Sequence, residues 1–251
     1  DAAAALPESR ALRIAAFVGL LELLALKYSF GKIHHLMHGW LFVTFILMFL
    51  PAGWSRAEGP GLARRRRQHA LLVFSAAQTA VCLTYALAGF GKLLGTAYQA
   101  ARGEPTPLHP SALARHIADR LLQTHTDSVL GAWMIEHAPL LWPLMLATLY
   151  LQTCALWAAF RPRLHRLWGI GLMGFHVVTM LSMTIDFTPN ILLVGVLLLA
   201  SPTAPRALDL RGIVFDLPLF GSLASRVGGQ SSLAARASSI ARNKNSNASK
   251  A

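Results

Sequence analysis

His34, His35, His38, Lys92 and His176 are the residues of this chain whose types and places invite chemistry. His34 and His38 stand at i, i+4, which on a helix puts two imidazoles on one face at metal-ligand spacing. Yet no acidic residue lies nearby, and no Glu follows the first His as it does in zinc proteases. Both cysteines, Cys82 and Cys154, fall in apolar stretches away from the cluster. No metal site is assigned. Two other readings stay open: interfacial histidines bonded to headgroups or loop carbonyls, and proton handling. Lys92 ends an apolar run, Tyr85-Ala-Leu-Ala-Gly-Phe-Gly-Lys92. One reading is a snorkelling lysine whose butyl stem reaches the headgroups. The other is a base, because a poorly hydrated pocket disfavours the charged form of an amine. Gly89 and Gly91 thin the helix just before it, which allows close approach of a neighbour or a ligand. His176 falls mid-way along another apolar run, where an ionisable residue is a functional candidate by default. Its plainer alternative is a neutral histidine bonded to a neighbouring helix.

The elements that must position these residues are unusually apolar. Of the 251 residues, 54% are hydrophobic and 14% charged, against about 25% charged in a soluble chain. Two cysteines cannot staple a chain of this length, and apolar content this high excludes disorder. The expected fold is an all-α polytopic membrane bundle of about six transmembrane helices, with interfacial helices in an outer loop. A bilayer core of about 30 Å needs about 20 mostly apolar residues. The six candidates are Leu12 to Leu26, Gly39 to Leu50, Ala70 to about Leu94, Pro139 to Phe160, about Leu167 to Ile185, and Asn190 to Ala200.

Basic residues set the expected orientation. With the N-terminus inside, all of the 23 lysines and arginines except Lys27, Lys32, Lys92, Arg102, Arg115 and Arg120 fall in inner segments. The positive-inside rule therefore places both termini in the cytoplasm. Most of the net charge of +12 sits on that side. The Arg64 to Arg67 run reads as an anchor against anionic lipid, with no nucleic acid as partner. Residues 203–251 form a basic, partly disordered cytoplasmic tail. Seven of the ten histidines sit in or beside the outer loops: His34, His35, His38, His109, His116, His125 and His137. Within the loop from Gly95 to Ala138, Ser111 is a candidate cap, followed by Leu113, Ile117, Leu121 and Leu122 at helical spacing. Val129, Leu130, Trp133 and Met134 repeat that pattern. Both stretches are expected to lie over the bundle as interfacial helices. Trp40, Trp54, Trp133, Trp142, Trp168, Tyr28 and Tyr98 fall near span ends and are expected to form interfacial belts.

Three motifs carry a resemblance. The run Tyr85-x-x-Ala-Gly89-x-x-Lys92-Leu resembles the lysine-bearing segment of vitamin K-dependent γ-glutamyl carboxylases. It also resembles that of their bacterial relatives, grouped as the horizontally transferred transmembrane domain. Phe175-His176, Ile185-x-Phe187-x-Pro189 and Leu197-Leu-Leu-Ala-Ser-Pro202 are similar to that family's Phe-His span, turn and Ser-Pro-terminated span. His38-Gly-Trp40-Leu41 is similar to its His-x-aromatic-Leu span start. The resemblance covers residues 10 to 202, and it implies a membrane domain over residues 1–202, in a bacterial inner membrane. It also implies a reduced naphthoquinone of the vitamin K type, with Lys92 as the base that deprotonates it and Tyr85, Gly89 and Gly91 beside it. His38 would stabilise developing oxyanion charge, and His176 would complete the catalytic set. In the carboxylases the deprotonated quinol reacts with O₂, the product takes a proton from the γ-carbon of a glutamate, and the carbanion captures CO₂. Gln152 is a departure, because relatives often carry an acidic residue there. A bacterial-type relative with another substrate fits the same motifs. So does a non-catalytic membrane subunit that anchors a larger redox or transport complex through partner subunits and the lipid bilayer.

Overall fold

Long apolar runs leave the backbone no partner but itself, and every regular element among the described residues is accordingly helical. The computed structural model describes residues 9–31, 35–54, 60–205, 207, 209–219 and 221, and no strand occurs among them. The chain divides into two compact units, Asp1–Ala204 and Pro205–Ala251. The first unit holds α1 (Arg10–Ser29), α2 (His38–Leu47) and the 42-residue α3 (Pro60–Ala101). Then come α4 (Ala112–Thr124), α5 (Gly131–Glu136), α6 (Trp142–Thr153) and α7 (Ala155–Ala159). The unit closes with α8 (His165–Met183), α9 (Thr188–Val194) and a π-helical turn, Gly195–Leu199. The second unit contains α10 (Leu210–Asp216), where the Asp209 carboxylate accepts from the Gly212 N–H at 2.9 Å and caps the helix. His34 and the tail beyond Gly221 lie outside the described residues, and of His35 only the backbone is described.

Helices occupy all six places where spans were expected, but their lengths correct the six-span expectation. Among the described residues one helix, Ala63–Ala101, is long and apolar enough to cross a membrane. Ten residues of α2 rise about 15 Å, half of a bilayer core. The fourth stretch is interrupted where α6 ends at Thr153 and α7 begins at Ala155. The sixth is divided between α9 and the π turn. In α1, Arg10, Arg13, Glu22 and Lys27 dilute the apolar content. The third stretch is longer at both ends than expected: the Arg64 to Arg67 run is already helical, and the helix continues past Lys92 to Ala101.

The loop between α3 and α6 folds as two helices, as its pattern implied. Ile117 of α4, Met134 of α5, Leu141 and Met183 form one buried cluster, with Leu113, Leu121 and Leu130 packed on it. The Leu130 N–H donates to Leu181 O at 3.0 Å, which fixes this hairpin on the end of α8. Ser111 occupies the N-cap position but makes no cap hydrogen bond. Its hydroxyl pairs with His109 Nδ1 at 2.8 Å instead. Trp168 is a second correction. It is fully buried, with Nε1 donating to Leu151 O at 2.9 Å, and so belongs to the core rather than to a belt. The turn from α8 to α9 passes through Thr184 at φ 55°. There Asp186 accepts hydrogen bonds from the Thr188 hydroxyl and backbone N–H, which hold its carboxyl below the usual carboxylate range.

The π turn explains the most buried polar side chain of α3. In a π register the carbonyl of Leu197 looks to the N–H of residue 202, and Pro202 has none. Gln78, fully buried, supplies the missing donor: its Nε2 donates to Leu197 O at 2.7 Å and to Ser201 Oγ at 2.8 Å. His165 joins the node through Nδ1 to Ser201 Oγ at 2.9 Å and through Nε2 to Ala159 O at 3.1 Å. Replacing Gln78 with Leu strands that carbonyl in a dry interior, a penalty of about 1–3 kcal/mol. A thermal melt of solubilised Gln78→Leu should therefore begin well below wild type, and coincident melts would show the contact to be idle.

Candidate functional site

Gln78, Cys82, Tyr85, Gly89 and Lys92 follow one another at steps of four, three, four and three residues. On a helix these share one face. The structure turns that face inward: Gln78, Cys82 and Gly89 are buried, and Tyr85 and Lys92 are half-buried. The opposite face carries Leu83, Leu87, Phe90 and Leu94, and Leu94 is 71% exposed. The inward side of α3 thus mixes these polar groups with buried Ala77, Val81 and Ala86, while its outer side is apolar.

Two hydrogen-bonded pairs stand on the inward face. The Lys92 amine donates to Gln152 Oε1 at 2.8 Å, and Gln152 is itself buried near the end of α6. Two helical turns earlier, about 10.5 Å along the axis, Tyr85 Oη and His176 Nε2 of α8 lie 2.6 Å apart. The His176 ring also packs against Phe187 with centroids 4.7 Å apart. Its other nitrogen, Nδ1, is buried without a hydrogen-bond partner. Thr153 Oγ1, next in sequence to Gln152, is in the same condition.

Gly89 is what lets α6 come this close. A Cβ built at Gly89 would lie 2.6 Å from the Thr153 backbone nitrogen and 2.7 Å from its Oγ1. Only a residue without a side chain fits against that backbone. Gly91 differs, because a Cβ there would meet nothing within 4 Å. Of the two glycines, then, Gly89 sets the helix approach and Gly91 faces open space.

Of the residues singled out from the sequence, the structure joins Tyr85 to His176 and sets Gly89 beside the Lys92 partner. It does not join Lys92 to His38. His38 begins α2, with its ring edge-on to Tyr28 at 5.7 Å, while the amine is bonded to Gln152. Trp40, two residues on, ties α2 to the turn before α9, its Nε1 donating to Pro189 O at 2.8 Å. Among the described residues no group of three His, Cys, Asp or Glu side chains could hold a metal ion. Between α4 and α5 lies an open groove of about 350 Å³, lined by Leu121, His125, Asp127, Ser128, Ala132 and Ile135. None of Lys92, His38 and His176 contributes to it.

Sequence reasoning noted Gln152 only as a departure and missed the Gln78–Ser201–His165 node entirely. Its signal was a lone amide inside an apolar run, at the step that continues the Tyr85–Lys92 face toward the N-terminus. Compared with family models, with curated proteins and with solved structures, the chain has no match. Its chemistry therefore has to be argued from these side chains. Gly89→Ala tests the close approach. Overpacking against backbone costs about 1–3 kcal/mol, so the variant should lose thermal stability and its α3–α6 contact, read by crosslinking cysteines placed at positions 88 and 153. Native stability in Gly89→Ala would show that the helices have room to spare.

Proposed function

We propose that this chain is an integral membrane protein that uses Lys92 as a base toward a lipophilic, weakly acidic hydroxyl compound. The observation that carries the proposal is the Lys92–Gln152 pair. A carboxylate beside the amine would fix its proton by charge attraction, whereas an amide oxygen accepts a hydrogen bond and adds no charge. In the step proposed, the Lys92 lone pair takes the hydroxyl proton, leaving an ammonium on the protein and an oxyanion on the ligand. A reduced naphthoquinone supplies hydroxyls of that kind. His176, with Nδ1 unpartnered and buried, has a polar atom left for a ligand oxygen. His38 enters this reading only by resemblance.

Membrane insertion is supported by the apolar outer side of α3 and by the apolar surface of the other helices, which includes Leu23 and Leu26 of α1 and Ile170 of α8, each about 60% exposed. A water-soluble protein rarely leaves so much apolar surface uncovered. The basic-residue asymmetry supports cytoplasmic termini. A second reading, a non-catalytic membrane subunit, is favoured by one observation: Lys92 and His38 are not hydrogen-bonded to each other.

Reconstituted protein supplied with a reduced naphthoquinone and O₂ tests the first reading. General base catalysis is worth about 10²–10⁴-fold. Lys92→Ala and Lys92→Arg should both lose quinol consumption on that scale while remaining folded, Lys92→Ala with a lowered melting temperature because Gln152 Oε1 loses its donor, and Lys92→Arg because Arg cannot give up its proton. Full turnover in Lys92→Arg would remove Lys92 as the base and leave the subunit reading. Orientation is tested in intact cells with a cysteine-free background. Glu104→Cys, on an exposed loop, should react with a membrane-impermeant maleimide from outside, and Ser239→Cys should not. Outside labelling of Ser239→Cys would reverse the topology.

A further inference from the structure

The two helices of the α3–α6 connection differ in what they leave uncovered. Exposed positions in the first half of α4 are Arg115, His116 and Asp119. From residue 129 through α5 into the start of α6 the exposed side chains are Val129, Ala132, Trp133, Ile135, Glu136, Pro139, Leu140 and Trp142, with Val129 81% and Leu140 66% exposed. Across residues 129–142 the single charged side chain is Glu136. This strip is not a core face awaiting closure. The inward side of the hairpin is already filled by Ile117, Met134, Leu141 and Met183. Its backbone is fixed to α8 at Leu130–Leu181, and Thr126 Oγ1 meets Thr184 Oγ1 at 3.0 Å.

We infer that the α5 strip is a lipid-docking surface that lies in the outer leaflet, while the first half of α4 faces water. The inference rests on the membrane reading above. Continuity of the surface argues for lipid as the occupant: the strip runs through Leu140 and Trp142 directly into the exposed apolar side of α6, where Leu144 and Leu146 are uncovered. Its composition fits the boundary between headgroups and acyl chains. Trp133 and Trp142 are the amphipathic rings favoured there, and an in-plane helix binds through the apolar area it immerses. The Trp142 Nε1 donates to Leu108 O at 3.0 Å, so the indole's polar edge is satisfied and its ring is free to contact lipid. The ring of His137 stacks on Trp133 at 4.8 Å, with Nδ1 against the Trp133 carbonyl at 2.8 Å, which keeps that indole turned outward.

Spin labels report the two environments directly. Single cysteines at Val129, Leu140, Leu87 and His116 are introduced into a chain with Cys82→Ala and Cys154→Ala, labelled with nitroxide, and placed in nanodiscs of phosphatidylcholine and phosphatidylglycerol. Relaxation by O₂, which concentrates in lipid, is compared with relaxation by a water-soluble nickel chelate. All four side chains are exposed, so the labels do not displace core atoms. The oxygen-to-nickel ratio at 129 and 140 should approach that of Leu87 on α3 and exceed that of His116 several-fold. Ratios at 129 and 140 equal to that at His116, with Leu87 still oxygen-favoured, would overturn the lipid strip and leave the membrane reading standing. Nickel-favoured relaxation at Leu87 would overturn both. Labels at 129 and 140 shielded from both reagents would also overturn the strip, because the surface would then be covered by another protein chain.

Discussion

Polar groups on an apolar helix must find partners inside the protein, and α3 makes this constraint unusually concentrated. Gln78, Tyr85 and Lys92 all stand on its inward face, and each recruits a different element. Gln78 holds the π turn through Leu197 O and Ser201 Oγ. Tyr85 meets His176 of α8, and Lys92 meets Gln152 of α6. Three helical segments far apart in sequence are thereby fixed around one axis by short polar contacts. Hydrophobic burial alone would not select this arrangement, because it is non-directional. Close approach at Gly89 and satisfied polar pairs are the features that specify it.

The same arrangement separates two chemical environments along α3. At the Gln78 end His165 has both ring nitrogens engaged and Ser201 Oγ lies within reach of Gln78, His165 and Thr203, while Gln78 Oε1 is buried without a hydrogen-bond partner. Such a node is a structural clamp. At the Lys92 end the pairs are simpler, and two buried atoms, His176 Nδ1 and Thr153 Oγ1, remain unpartnered. Buried polar atoms left in this state are uncommon and call for a reason. Ligand chemistry is the reason proposed above for His176 Nδ1.

Much of the architecture was legible in the sequence because hydrophobic period and breakers dictate it locally. The helices at residues 112–124 and 131–136 follow from their apolar spacing, and Pro51 and Pro202 close apolar runs as expected. Tyr85, Gly89 and Gly91 were set beside Lys92 by the motif resemblance, and helical spacing keeps Tyr85 and Gly89 on the Lys92 face while turning Gly91 away. Their partners were not legible. Nothing in local sequence says that Gln152 lies opposite Lys92, since that contact spans 60 residues and depends on how tightly Thr153 approaches Gly89. His38 was joined to Lys92 by motif resemblance, and the structure sets its ring against Tyr28 instead. Trp168 misled for a related reason: a tryptophan at a helix end reads as interfacial until a carbonyl, here Leu151 O, is found to claim its N–H.

The alternating four-and-three step along α3 also bears on how this chain can change length over evolution. Each residue added to a helix turns everything beyond it by about 100° and advances it by about 1.5 Å. One residue inserted between Cys82 and Tyr85 would swing Lys92 off Gln152 and into the place now held by Leu93, while Gln78 stayed in place. An insertion of seven would restore the heading to within about 20°, but it would carry the amine about 10.5 Å past its partner. The fifteen residues from Gln78 to Lys92 therefore behave as a ruler of fixed length and fixed phase. Insertions and deletions can be absorbed before Arg64 or after Lys92, and nowhere between the two marks.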